Sequence, residues 1–167
     1  GGVLGPQLGV AEGRRLVRFS FQDKTVGPEA LQAQPSWDFG DGTGSTARNP
    51  DHVYLSEGTY TVTFTLRKGG RSYPVRQQVV ADAGLEYEHL PNKDLPSQYA
   101  GIVADYEFPE MTTADVLTAV ELLKAFERHD GIVKACRVST ARKGQLDEDT
   151  RFEHFMLLGN TLLNQQQ

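Results

Sequence analysis

One cysteine in 167 residues, Cys136, rules out an internal disulfide and any zinc site built on paired cysteines. No reactive-thiol motif surrounds it, so it reads as a small buried apolar side chain. Long hydrophobic runs are missing too: nothing approaches the roughly 18 apolar residues of a membrane span. Positive charge is in short supply, 17 Lys+Arg against 22 Asp+Glu for a net charge of −5, and no basic stripe is present. A duplex binder needs a basic surface to displace counterions, so nucleic acid is not an expected partner. The four histidines, His52, His89, His129 and His154, are scattered without a second histidine or cysteine at ligand spacing. The chain contains no GxSxG, no phosphate loop and no dinucleotide fingerprint. No enzyme is expected.

What is there reads as two small globular units. Hydrophobic content of 38% and charged content of 23% are ordinary for folded domains, and 167 residues allow one domain or two modest ones. Residues 1–82 carry 9 Lys+Arg and 8 Asp+Glu, whereas residues 83–167 carry 8 and 14, so the balance moves from +1 to −6. The texture changes at the same place. Leu16 to Phe21 alternates, with Val17, Phe19 and Phe21 on an apolar side, and Tyr60, Val62, Phe64 and Leu66 alternate with threonines. Lys68-Gly69-Gly70-Arg71 signals a hairpin turn, with a return strand over Ser72 to Ala81 in which Pro74 favours an edge. The chain opens on Gly-Gly rather than methionine, which suggests an excised fragment or tag remnant. An upstream signal or anchor is the one expected route to a membrane.

The stretch WDFGDGTGST, Trp37 to Thr46, carries the only tryptophan beside two aspartates and three glycines. Three readings compete: an acidic metal loop, a catalytic carboxylate pair, or a tight turn between strands. Trp37 and Phe39 alternate with Asp38 and Gly40, which makes a short strand entering a turn at Gly40-Asp41-Gly42. Asp38 and Asp41 then act as carboxylates that pin the turn through nearby backbone N–H groups. Calcium as a cofactor held by Asp38 and Asp41 is the functional alternative, but EF-hand spacing is absent and two carboxylates make a weak site. A glycosidase pair would need a cleft between two facing carboxylates, and none is expected here.

The series WDFGDGT, NPDHVY and EGTYTVTFTL resembles the signature of the PKD domain, an immunoglobulin-like β-sandwich module, over about residues 12–82. That resemblance implies that the aspartate-glycine run is a structural turn and that Trp37, Tyr54 and Tyr60 are core residues. His52 falls where the family often has histidine, which implies a packed or backbone-bonded imidazole. Gly40, Gly42 and Gly58 belong to the same motif set. The resemblance also implies a bacterial envelope location, periplasmic or extracellular.

Residues 83–110 read as an ordered linker, punctuated by Pro91, Pro96 and Pro109, with too many aromatics for a free tether. Within it, Ile102 to Phe108 reads as a short strand and the remainder as loop. Residues 111–167 read as a helical segment of two amphipathic helices. Thr112 with Asp115 resembles a capping box, and Val116, Leu117, Val120, Leu123 and Phe126 repeat at helical spacing, so a helix is predicted over 113–130 with Gly131 as terminator. Ile132 to Thr140 fits a strand or further helix. A last helix is predicted over Asp147 to Leu163, with Asp147, Glu148 and Asp149 at its positive end.

The expected architecture is therefore α+β, an immunoglobulin-like β-sandwich followed by a small helical segment. Two helices enclose little core, so their apolar faces need cover from the sandwich, another chain or a partner. Leu117, Val120, Leu123, Phe126, Phe155, Met156 and Leu163 form the candidate interface. The function expected is a non-catalytic protein–protein interaction or assembly module: a homo-oligomer or subunit of a larger complex, such as a membrane-anchored secretion machine. A carbohydrate- or matrix-binding accessory module is the rival reading; it requires exposed aromatics on one face.

Overall fold

A computed structural model describes residues 16–25, 27–28, 32–82 and 96–165. Six strands come first: β1 (Val17–Ser20), β2 (Gln34–Asp38), β3 (Gly44–Ser45), β4 (Asp51–Tyr54), β5 (Gly58–Lys68) and β6 (Arg71–Ala81). They form two antiparallel sheets, β1-β4 and β3-β2-β5-β6. Four helices follow: α1 (Pro96–Val103), α2 (Thr113–Ala125), α3 (His129–Ala141) and α4 (Glu148–Gln165). The α+β order of a sandwich followed by helices is thus what the chain adopts.

Strand alternation explains where the two cores lie. Val17, Trp37, Phe39, Tyr54, Val62 and Ala81 fill the space between the sheets. Leu16, Val53 and Leu55 lie on the other side of the β1-β4 sheet, because neighbouring side chains along a strand point to opposite faces. There they join Tyr99, Phe108, Val116, Leu123 and their neighbours from the helices in a second core. The helices are therefore a third layer laid on the outside of the two-stranded sheet.

Three expectations for the C-terminal half need correction. The stretch from Ile102 to Phe108 is not a strand, nor are residues 96–101 loop: α1 runs through both to Val103, and Tyr106 and Phe108 enter the second core from irregular backbone. The described residues 111–165 hold three helices, not two, since the predicted helix over 113–130 is broken at Phe126–Arg128. Glu127 adopts a left-handed φ of 52°, Arg128 N–H donates to Leu123 O at 2.9 Å and Glu127 N–H to Lys124 O at 3.2 Å, which is the double bond pattern of a Schellman C-terminus. Gly131 is not the terminator. It lies inside α3, where a Cβ would come within 3.0 Å of Ala104 Cα and 2.9 Å of Leu123, so the residue allows close helix packing. Ile132 to Thr140 is helical within α3. The connection over 83–95, expected to be ordered, falls outside the described residues.

Candidate functional site: the sandwich–helix seam and the outer face of α4

The motif turn lies at the seam between sandwich and helices. Asp38 Oδ1 accepts the Gly40 N–H at 2.9 Å. Asp41 Oδ1 accepts the Thr43 N–H at 3.0 Å and bonds the Thr43 hydroxyl, and its Oδ2 meets His52 Nε2 at 2.8 Å. Both oxygens of a carboxylate only 1% exposed are thus already in use. A calcium ion at Asp38 and Asp41 would have to displace Thr43 and His52 from Asp41, so the residues do not fit that ion. Gly42, at φ 90°, packs against the backbone of Glu110 and Met111, into which any Cβ would collide. The turn's second glycine is where the helical layer touches the sandwich, backbone against backbone.

His52 is stacked between two rings, Phe39 at 3.9 Å and Tyr106 at 4.9 Å between centroids. The hydroxyl of Tyr106 donates to Val53 O at 2.8 Å and accepts the Val53 N–H at 2.6 Å. Burial holds the Tyr106 phenol well above its ordinary pKa, so it stays protonated and able to do both. The Ser56 hydroxyl bonds the buried carboxylate of Asp115 in the first turn of α2, where Thr112 Oγ1 also caps the helix by accepting Asp115 N–H at 3.2 Å. These contacts fix the helical layer on the sandwich, and none of them forms an open catalytic constellation.

The other motif residues support the sandwich interior. Trp37 is 7% exposed and donates its indole N–H to Ala47 O at 2.9 Å. Tyr54 is fully buried, donates to Phe39 O at 2.8 Å and stacks on Tyr60, whose hydroxyl donates to Ser56 O. Gly58 lies beside the Tyr60 ring. Burial pushes the Cys136 thiol up to about 12, so it is inert at neutral pH. Between α3 and α4, Ser139 Oγ and His154 Nδ1 lie 2.6 Å apart, and burial holds the His154 imidazole below its ordinary pKa. That pair sits within the helix interface and faces no open pocket on the Ser139 side, since Ser139 is fully buried.

The seven candidate interface residues do not share one surface. Val120 and Leu123 are buried in the second core, with Phe126 packed against it and Leu117 half-buried. Phe155, Met156 and Leu163 instead stand exposed on α4. Phe152 joins them at 63% exposure, a residue the sequence reading left out of the interface although its spacing to Met156 and Leu163 was visible. A separate open groove of about 670 Å³ runs between Phe19 and Phe21 on one side and Tyr73, Val75 and Val79 of β6 on the other.

Comparison with known proteins matches the PKD domain family to residues 5–81. The chain carries a PKD domain. This module, itself non-catalytic, accounts for the sandwich, the buried tryptophan and the aspartate-glycine turn, while residues 82–167 lie beyond the match. Collagenase ColA of Bacillus cereus is 61% identical over 31 residues, covering 19% of this chain and 3% of the collagenase. The chain therefore spans a small fraction of that relative's length. No solved structure gives a significant match.

Proposed function

We propose that the chain is a non-catalytic protein-interaction module of an extracellular or cell-envelope protein, in which a PKD sandwich carries a helical layer that presents the outer face of α4 to a protein partner. The observation that carries this reading is the division of the helical apolar residues. Once Val120, Leu123 and their neighbours are committed to the seam, Phe152, Met156 and Leu163 remain 63%, 52% and 64% exposed on α4. Contiguous exposed apolar side chains on a folded domain mark interaction surfaces. Placement outside the cytoplasm is supported by the PKD match and the likeness to a collagenase. Membership of a membrane-anchored secretion machine is the finer form of the same proposal.

A second reading has its own support. Tyr73 is 54% exposed beside the groove on β6, and the likeness to a collagenase suits a matrix-binding accessory module. One comparison separates the two: wild type against a Phe152→Glu, Met156→Glu, Leu163→Glu variant. Sedimentation of both, up to a few hundred micromolar, covers the range where contacts of roughly micromolar affinity are populated. Binding of both to immobilised glycans and collagen completes the comparison. Association in the wild type that disappears in the variant, with an unchanged melting temperature, supports the protein-interaction reading. A single chain mass for both proteins overturns self-association through α4, and matrix binding that survives in the variant overturns the protein-interaction reading and moves the function to the β6 face.

A further inference from the structure

We infer that the partner of the α4 face is a second copy of this chain, paired antiparallel along α4 so that Met156 of each enters the gap over Gly159 of the other. The inference rests on the interaction reading above and identifies its partner. Phe152, Met156, Gly159 and Leu163 are spaced by four, three and four residues, so they form one narrow seam of the kind that zips two helices. The opposite side of α4 carries His154 and Thr161, both buried against the rest of the molecule, so the seam faces outward. Gly159 has open space where a side chain would stand, which leaves a notch in the seam with Met156 and Leu163 on either side of it.

The seam is complementary to itself. The midpoint between Phe152 and Leu163 in the sequence is also the midpoint between Met156 and Gly159, falling between Leu157 and Leu158. A single two-fold axis there sets Phe152 against Leu163 and Met156 against Gly159 in both directions, as an isologous dimer requires. Charge selects the orientation. Glu148, Asp149 and Glu153 outnumber Arg151 in the first third of α4, and from Phe155 to Gln165 no residue is charged. Parallel pairing would bring acidic thirds together; antiparallel pairing lays each along the neutral end of its partner. An aromatic side chain buries about 150–250 Å² when fully covered, so half-exposed groups of this number make an interface at the small end of the range, and a weak dimer is expected.

The test uses the whole chain with single substitutions Phe152→Cys and Leu163→Cys, since Cys136 is buried and inert. Under mild oxidation the mixture of the two variants is expected to form a covalent dimer, about tenfold more than either variant alone. Gly159→Leu adds exposed apolar surface and removes a helix-weakening glycine, yet fills the notch, so it is expected to weaken association about tenfold; a merely sticky face would associate more strongly. Equal cross-linking by either variant alone, or stronger association of Gly159→Leu, overturns the antiparallel pairing. If association still depends on Phe152, Met156 and Leu163 while the mixture fails to cross-link, the pairing falls and the interaction reading stands. If nothing depends on those residues, both fall.

Discussion

Among the described residues, Val53 sits in a strand paired only with β1, so no other described strand takes the backbone groups on the far edge of β4. Tyr106, contributed from the helical half, occupies that edge by bonding both the N–H and the C=O of Val53 through one hydroxyl. Removing the oxygen alone, by Tyr106→Phe, would keep the stack on His52 and leave a buried donor and acceptor without their partner. The expected cost is about 1–3 kcal/mol, read as a lower urea midpoint with an unchanged slope. A midpoint shift worth less than about 0.5 kcal/mol would show that the seam does not depend on this bond. The importance of Tyr106 was only half legible in the sequence. Its aromatic neighbourhood announced burial, but nothing local in DYEF says that the hydroxyl will reach a strand more than 50 residues earlier.

At the scale of elements, legibility followed local periodicity. The long strands β5 and β6 and their Gly69-Gly70 turn were readable because alternation and turn chemistry agree over the whole hairpin. Ile102 to Phe108 misled for the same reason: Ile102, Ala104, Tyr106 and Phe108 alternate like a strand, while tertiary packing ends a helix in their midst. The break after α2 was hidden because Glu127, not glycine, takes the left-handed position, and the glycine that looked like a terminator is needed four residues later for packing. This yields a clear expectation for Glu127→Gly. A left-handed non-glycine residue costs about 1 kcal/mol or more, and Glu127 is exposed, so the substitution should raise the melting temperature by roughly 2–4 °C for a chain of this size. Differential scanning calorimetry decides it; an unchanged or lower melt would mean that the turn is not strained by its side chain.

For the molecule as a whole, the question is whether sandwich and helices are two domains or one folding unit. Leu16, Val53 and Leu55 of the first half share a core with Tyr99, Phe108 and Val116 of the second, and Gly42 meets Glu110 backbone to backbone. Folding either part alone would leave a buried face in water, at about 25 cal/mol for each Å² of apolar surface exposed. Coupling of that kind predicts a single transition. The only tryptophan, Trp37, reports on the sandwich by fluorescence, and the four helices α1 to α4 all lie beyond residue 95, so circular dichroism at the helical band reports chiefly on the second half. The two denaturation curves should coincide in the wild type. Gly42→Ala tests that coupling, because its methyl group would strike the backbone of Glu110 and Met111 at the seam, and with the added strain of a side chain at a φ of 90° a cost of about 3 kcal/mol is expected. Both curves should move to lower denaturant together. If only the helical signal moved, or if the wild-type curves separated, the helices would be an appended domain that can leave the sandwich, and the α4 face would no longer be held in a fixed position by the PKD domain.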